Sequence, residues 1–157
     1  GGLMETNAIK KFILKIPFFK TFTDHELTKL VGREKLFRDC KKGGYIFKEG
    51  DPGSALFVLL FGVIDLVKKG EGGKESIILK LKSGALFGEV AMLTGNKRNL
   101  DARASSAKVV VMEFNRKLID RMIPSVQKKF EKQLLFIIAT NLDKMNMRYA
   151  KLESSIK

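Results

Sequence analysis

The sequence has little cysteine, histidine or proline, and it has no tryptophan. Cys40 is the only cysteine among the 157 residues and His25 is the only histidine. An intramolecular disulfide is therefore impossible, and a zinc site built from cysteine and histidine is excluded. A lone histidine also removes the commonest general base, and His25 stands in the first turn of a predicted helix. One reduced cysteine suits a cytoplasmic protein, which is the expected location.

Long apolar runs are missing as well. The longest one, from Ala55 to Ile64, is interrupted by Gly62 and has half the roughly 20 residues that a membrane-spanning helix needs. The first residues lack the apolar stretch and the cleavage site of a secretory signal. With 45% hydrophobic and 30% charged residues, the composition is typical of a globular protein. We expect one domain over residues 1–157 and no transmembrane segment.

Acidic residues are scarce relative to basic ones. The chain has 30 Lys and Arg against 17 Asp and Glu, a net charge of +13. This excess predicts an acidic partner, such as nucleic acid, an anionic membrane surface or an acidic protein, or else a basic surface that is merely solvated. The lysines are dispersed, which favours the solvated surface: Lys10, Lys20, Lys29, Lys42, Lys82 and Lys129.

Two helices are predicted before residue 32, over about residues 5–32. The first has apolar residues at helical spacing and ends before Pro17: Ile9, Phe12, Ile13 and Ile16. The second begins at Thr23, which forms a capping box with Glu26, and it ends at Gly32.

Strand-like periodicity occupies about residues 35–114. Six short β-rich runs alternate there with glycine-rich turns. The runs are Tyr45–Phe47, Ala55–Leu60, Val63–Lys68, Ser76–Leu81, Ala102–Ser105 and Val109–Phe114. The even spacing predicts an antiparallel, jelly-roll-like β-roll of about eight strands.

A helical pair is predicted after the roll, over about residues 115–153. Asn115 is suited to cap a helix through Met122, and Pro124 begins a longer one. The long helix is expected to carry one apolar face, marked by Val126, Phe130, Leu134, Ile137, Met145, Tyr149 and Leu152. The predicted fold class is α+β: a β-roll flanked by N-terminal helices and a C-terminal helical pair, without an internal linker.

The most informative segment runs from Phe87 to Ala102. Glu89 to Leu93 is long enough for about one helical turn, whose free N–H groups favour an anion, and Gly95 is suited to end it. Arg98 returns a permanent positive charge that can make two parallel bonds to a phosphate. Glu89 would repel that anion unless the ligand also offers a hydroxyl donor. A 3′,5′-cyclic nucleotide carries both a singly charged phosphate and a ribose hydroxyl.

This segment resembles the phosphate-binding cassette of the cyclic nucleotide-binding domain family, in which Phe-Gly-Glu-x-Ala leads to an arginine. The upstream glycine pattern is similar to that family too, in Gly44, Phe47, Gly50-Asp51, Gly53 and Gly62. The Ile16-Pro17-Phe18-Phe19 segment resembles the family's helical entry. The resemblance covers roughly Ile9 to Leu152.

The resemblance implies a role for individual residues. Glu89 and the Gly88 backbone would hold the ribose hydroxyl of cAMP or cGMP. Arg98 would hold the cyclic phosphate together with the backbone N–H groups of Ala91 and Asn99.

The base is expected to meet apolar side chains. Leu79 and Leu81 align with the residues that line the base pocket, and Arg148 or Tyr149 is a candidate to cap it. No metal or other cofactor is implied.

Two departures from the family pattern affect this site. Lys97 stands where a proline usually precedes the arginine, and Asn99 and Leu100 stand where small residues usually follow it. Lys97 adds favourable charge, but the altered surface leaves the choice between adenine and guanine open.

The predicted function is a cyclic-nucleotide sensor that acts on an effector protein. Its C-terminal helix, Ser125 to about Glu153, would close on the base as a lid and could also pair with a second copy. The alternative is a degenerate roll that binds other proteins without nucleotide. A transcription factor is disfavoured because too few residues follow the long helix for a helix-turn-helix. An enzyme is least favoured, because the sequence shows no paired carboxylates, phosphate-binding Walker loop or catalytic triad.

Overall fold

The computed structural model describes residues 3–33 and 36–156. Five α-helices lie in this part of the chain: α1 (Leu3–Ile13), α2 (Asp24–Val31), α3 (Glu89–Thr94), α4 (Arg116–Asp120) and α5 (Pro124–Ile156). Its eight strands are β1 (Phe37–Lys41), β2 (Tyr45–Phe47), β3 (Ala55–Phe61), β4 (Ile64–Lys69), β5 (Glu75–Leu81), β6 (Leu86–Phe87), β7 (Asp101–Ala104) and β8 (Lys108–Asn115). Short 3₁₀ turns occupy Pro17–Thr21 and Glu71–Gly73.

The strands form two four-stranded antiparallel sheets. Their orders are β1-β8-β3-β6 and β2-β7-β4-β5, so β4 and β5 are the one pair of neighbours that is also consecutive in the described part of the chain. In the register, Val58 faces Met112 across β3 and β8, and Leu66 faces Ala102 across β4 and β7. The predicted α+β class with an antiparallel roll is confirmed.

Apolar side chains from both sheets meet in one core inside the roll. Phe57 and Phe87 stack there with ring centres 5.3 Å apart, and Phe47 lies against both. Leu81 belongs to the same cluster and is 7% exposed. The core therefore brings β2, β3 and β6 together at one end of the roll, next to the segment between β6 and β7.

The capping box predicted at the second helix is present. The Thr23 hydroxyl accepts a hydrogen bond from the Glu26 N–H at 3.1 Å, and the Glu26 carboxylate accepts one from the Thr23 N–H at 2.8 Å. The predicted Asn115 cap also forms, since its side chain accepts from the Leu118 N–H at 2.7 Å. Both helix starts were thus readable from residue type and spacing.

Two strands were not among the six predicted runs. Strand β1 is mostly polar, so its sequence lacks the alternation of apolar and polar residues that predicts a half-buried strand. Within it, Arg38 donates to the carbonyl of Ile46 at 2.8 Å. Strand β6 has only two residues. The predicted change of periodicity near Lys35 lies outside the described residues.

The chain divides into two compact units, one ending at Arg121 and one beginning at Met122. In the second unit, α5 buries Val126, Phe130 and Leu134, whereas Met145, Tyr149 and Leu152 are more than 60% exposed. The predicted apolar face is therefore buried only over its first part. At about 100° per residue, Leu152 lies five full turns after Leu134 and on the same side of the helix, so the two differ because the described residues cover little of the distal part of α5. None of the described helices has the length and apolarity that crossing a membrane requires.

Candidate functional site

Arg98 lies inside the first unit rather than on its surface. It is 6% exposed, although arginine is among the residues least often buried. Its Nη1 donates to the Gly88 carbonyl at 2.7 Å and its Nη2 donates to the Ala55 carbonyl at 2.7 Å. The guanidinium carbon stands 4.2 Å from the centre of the Phe47 ring. Two carbonyls and an aromatic face thus hold a cation inside the wall of the roll.

One of the three nitrogens of this guanidinium makes no hydrogen bond in the described part of the chain. The Nε atom of Arg98 is buried and has no hydrogen-bond partner among the described residues. Burial lowers the pKa of Arg98 below its ordinary value, and the negative charges of Glu89, Asp51 and Glu113 partly offset that effect. Arginine nevertheless stays protonated near neutral pH. The site therefore offers a positive charge and a free N–H donor in surroundings where an anion would interact strongly.

Two glycines make the space that this guanidinium occupies. A methyl group on Gly53 would collide with the Ala91 methyl group and come within 2.7 Å of the Arg98 Nε, and one on Gly88 would come within 2.8 Å of the Arg98 Nη1. Gly88 also adopts a φ of 80°, which side-chain-bearing residues rarely do. These clearances explain physically why glycine stands at both positions.

Helix α3 begins directly at the second of these glycines. It has six residues, Ala91 and Met92 bury its inner face, and Gly95 ends it with an N–H bonded to the Ala91 carbonyl at 2.9 Å. No side chain caps its first turn, whose N–H groups have no acceptor within the helix. Glu89 is half-buried in that turn, and its carboxylate has no hydrogen-bond partner in the part of the chain that the structure describes.

The turn before β3 clamps the segment that carries Arg98. The Gly50 N–H donates to the Arg98 carbonyl at 2.8 Å, and the Arg98 N–H donates to the Asp51 carbonyl at 2.9 Å. Pro52 and Lys97 complete an isolated antiparallel bridge. The backbone of Arg98 is therefore fixed on both sides, which restricts where its side chain can reach.

The buried carboxylate of Asp101 anchors the same turn through a hydrogen bond to its backbone. Asp101 is 2% exposed, accepts from the Glu49 N–H at 2.7 Å, and pairs with the Lys69 ammonium at 3.4 Å. Lys68 forms an ion pair with Glu49 and also donates to the Asn99 carbonyl at 3.2 Å. Because Glu49, Asn99 and Asp101 share these contacts, the chain on either side of Arg98 is held as one unit.

The predicted site residues fall into two groups. The first group lies together around the Arg98 guanidinium: Gly88, Glu89, Ala91 and Arg98 itself. We call this cluster the notch, and Asn99 follows it in the chain as an exposed residue. Leu79 is 54% exposed on strand β5, whereas Leu81 is packed into the core. The base-cap candidates, Arg148 and Tyr149, lie on α5 in the second unit.

Sequence reasoning missed several residues that build the notch. Phe47 supplies the ring under the guanidinium, Ala55 supplies a carbonyl, and Asp101 anchors the turn. Phe47 and Gly53 stood in the glycine-punctuated pattern, but no spacing indicated contact with Arg98. A backbone carbonyl such as that of Ala55 leaves no trace in residue type at all.

The chemistry of the notch is that of anion recognition. It combines one buried guanidinium, unpaired backbone N–H groups at the start of α3 and one carboxylate able to accept a hydroxyl hydrogen bond. Among the described residues, no three histidine, cysteine, aspartate or glutamate side chains lie close enough together to hold a metal ion.

A family model described as cyclic nucleotide-binding domain matches residues 37–125 of this chain. The chain is 31% identical over 110 residues to the cAMP-dependent protein kinase regulatory subunit of Mycosarcoma maydis, covering 67% of this chain and 21% of that protein. It is 26% identical over 149 residues to cGMP-dependent protein kinase 2 of Mus musculus, covering 90% of this chain and 18% of that protein. The chain thus spans about a fifth of these relatives.

A solved structure gives the same architecture. A cyclic nucleotide-binding domain from Methylobacillus flagellatus superimposes with a TM-score of 0.68, at 22% identity, over 90% of this chain and 80% of that one. At this identity the likeness establishes the fold, which is the two-sheet roll with helices at both ends.

Proposed function

Because this chain belongs to the cyclic nucleotide-binding domain family, we propose that the notch around Arg98 binds a 3′,5′-cyclic nucleotide. The observation that carries the proposal is the buried guanidinium with an unused Nε–H, beside the unpartnered carboxylate of Glu89. A ligand with one negative phosphate and one adjacent hydroxyl satisfies both groups at once. A ligand with a phosphate alone would leave Glu89 facing an anion.

The phosphate is assigned to Arg98 and to two backbone amides. The Ala91 N–H lies in the first turn of α3, where helical geometry leaves amides without acceptors, and the Asn99 N–H follows Arg98 directly. The Phe47 ring and the Gly88 and Ala55 carbonyls hold the guanidinium in place before any ligand arrives. A preorganised cation loses little rotamer freedom on binding, which favours affinity.

The ribose hydroxyl is assigned to Glu89 and the Gly88 backbone. The carboxylate is half-buried and free, so it can accept the hydroxyl hydrogen without breaking an existing bond. The single charge of a cyclic phosphate limits its repulsion from Glu89, whereas a terminal phosphate monoester would carry up to two charges. The notch therefore favours a cyclic diester.

The choice of base is left to experiment. Leu79 presents an exposed apolar surface on β5 that suits a purine of either kind, and Leu81 supports it from the core. One relative is a cAMP-dependent kinase subunit and another is a cGMP-dependent kinase. Asn99 and Leu100 leave the choice between adenine and guanine open, so both nucleotides are included in every test.

We also propose that α5 serves as the lid and that Arg148 or Tyr149 caps the base. Both side chains are exposed, so each is available for a new contact. Such a lid responds only if its contacts differ between the free and bound states. An effector protein that reads this change, or a second copy of the chain, is the proposed partner. In this account the chain regulates and does not catalyse.

A second candidate function is a nucleotide-free interaction domain. It is favoured by one specific observation: both terminal nitrogens of Arg98 are already bonded to carbonyls of the protein itself. Because these hydrogen bonds satisfy the terminal nitrogens of the buried guanidinium without a ligand, Arg98 can have a purely structural role. Titration of the folded chain with fluorescent cAMP and cGMP distinguishes the two candidate functions. Saturable nucleotide binding is expected of a sensor and not of a nucleotide-free interaction domain.

A further inference from the structure

A cavity of about 500 Å³ lies between α1 and the sheet that contains β1, β3 and β8. Its lining is apolar apart from one lysine: α1 contributes Phe12 and Ile13, β3 contributes Leu60 and Phe61, and β8 contributes Val110 and Lys108. Ile13 and Leu60 are buried, whereas Phe12 and Phe61 are 38% and 51% exposed, so the cavity has a buried floor and two aromatic rings at its opening. This volume and this lining are typical of a small-molecule site. We refer to it as the apolar cavity.

The apolar cavity is separate from the notch. Val109 belongs to the core inside the roll, so its neighbours on β8, Lys108 and Val110, point out of the roll. The notch uses the carbonyl of Ala55, the first residue of β3, whereas the cavity uses Leu60 near the end of that strand. These two residues are about 17 Å apart along the strand. A ligand in the cavity therefore leaves the notch free.

One end of the cavity carries an excess of positive charge. Lys108 also lines a second, polar depression of about 350 Å³, together with Asp39, Cys40, Lys41 and Ala107. Lys41 lies directly opposite Lys108 across β1 and β8, which is unfavourable for two like charges. Neither ammonium forms an ion pair with a side chain of residues 3–33 or 36–156. Asp39 supplies one negative charge, so one positive charge is left in excess there.

The position of Lys108 in both cavities selects the chemistry of the ligand. A molecule that fills both has an apolar tail at one end and an anionic head at the other. At roughly 30 Å³ per water-sized group, 500 Å³ accommodates one acyl tail of about 12–16 carbons. The single excess positive charge matches one carboxylate, whereas a phosphate monoester carries up to two negative charges. A membrane lipid would bring two tails to a cavity with room for one.

We propose that the apolar cavity binds one molecule of a free fatty acid, with its tail between α1 and β8 and its carboxylate between Lys41 and Lys108. Burial of the tail supplies most of the affinity. The carboxylate accepts charge-assisted hydrogen bonds and relieves the repulsion between the two ammonium groups. The inference does not depend on nucleotide binding, and it is tested without nucleotide.

The first test is calorimetric titration of the full chain with sodium dodecanoate below the concentration at which it forms micelles. We expect saturable binding of one molecule per chain. Sodium decanoate has two methylenes fewer and should bind roughly 15-fold more weakly. Dodecyltrimethylammonium has the same tail with a positive head and should bind at least about tenfold more weakly. Absence of saturation by dodecanoate, or equal affinity for the two head groups, would overturn the proposal.

The second test places the ligand in the cavity. Lys108→Gln removes one ammonium and should weaken dodecanoate binding by about tenfold or more, whereas Lys82→Gln, at an exposed lysine outside both cavities, should not change it. Val110→Phe fills the cavity and should weaken binding by at least about tenfold. Its control is Val90→Phe, because Val90 is exposed on α3 and does not line the cavity. Equal binding by each variant and its control contradicts the assignment, and circular dichroism checks that all four proteins fold.

Other occupants of this surface give different results. Sedimentation of the chain with phosphatidylserine vesicles, without binding of free dodecanoate, would assign the surface to a membrane. A dimer that Val110→Phe dissociates would assign it to a second copy of the chain. Either result would overturn the proposal. A separate nucleotide titration of Val110→Phe reports on the notch alone, so failure of fatty-acid binding and failure of nucleotide binding are distinguished.

Discussion

The guanidinium carbon of Arg98 stands 4.2 Å from the centre of the Phe47 ring. This contact links the segment between β6 and β7 to strand β2, which pairs with β7. Together with the Gly88 and Ala55 carbonyls, the ring fixes the cation in the orientation that leaves Nε unbonded. We therefore expect substitutions that disturb this arrangement to change stability or nucleotide binding.

Phe47→Leu removes the aromatic face but keeps an apolar side chain. We expect the free energy of unfolding and the free energy of nucleotide binding each to fall by about 0.5–2 kcal/mol, because the cation loses its contact with the ring. Thermal unfolding measures the first free energy, and nucleotide titration measures the second. Phe61→Leu is the control, since Phe61 is 51% exposed and should change neither quantity by more than about 0.5 kcal/mol. Unchanged binding by Phe47→Leu would remove the ring from the site.

Gly53→Ala fills the space beside the guanidinium. The added methyl would collide with the Ala91 methyl group and come within 2.7 Å of Arg98 Nε, so helix α3 or the guanidinium must move. We expect the free energy of unfolding to fall by about 1–3 kcal/mol and binding to weaken. Gly70→Ala is the matched control, because its methyl would meet only the Lys74 carbonyl at 3.5 Å. If both variants behave alike in titration, the clearance at Gly53 has no bearing on the site.

Asp101→Ala tests the contacts that hold the turn before β3. It leaves the Glu49 N–H without its acceptor and Lys69 without its partner, which should cost about 1–3 kcal/mol of stability. Asp39→Ala removes an exposed aspartate on β1 for comparison. Urea unfolding of both proteins measures the difference, and equal midpoints would show that Asp101 anchors nothing.

Thr23→Ala should lower the stability of the protein without changing nucleotide binding. Loss of the capping box should lower the free energy of unfolding by about 1 kcal/mol, because the Glu26 N–H loses its acceptor. Nucleotide affinity, compared at a temperature where both proteins are folded, should not change. A weakened affinity would mean that α2 influences the notch.

The sequence predicted the parts of the fold that depend on local chemistry. Turn glycines delimited strands such as Ala55–Phe61, and residue type alone located the Thr23 and Asn115 caps. It failed at β1, where Arg38 follows tertiary bonds rather than alternation, and at the two-residue β6. It also grouped Leu134 with Met145 on one face, as helical spacing supports, but spacing alone could not indicate that only Leu134 is covered by the described residues.

The structure brings Gly88, Glu89, Ala91 and Arg98 together as the sequence grouped them, since they lie within one short segment, and their roles toward a ligand stay predictions. The sequence did not predict that Arg98 would turn inward, because this depends on the Phe47 ring and the Ala55 carbonyl, which are distant in sequence. Such contacts arise only when the two sheets close. The roles of Leu79 and Leu81 toward a base stay predictions.

Titration of the folded chain with fluorescent cAMP and cGMP tests the central proposal most directly. Saturable binding of at least one nucleotide is expected, and Arg98→Ala should weaken it by about 1.5–3 kcal/mol, roughly 10- to 150-fold. Arg103→Ala should leave it unchanged, since Arg103 pairs with Glu75 on β5, which lies two strands away in the same sheet. Absence of saturation by either nucleotide up to high micromolar concentration, or equal affinity of the Arg98→Ala protein, would contradict the assignment of this notch to a cyclic nucleotide.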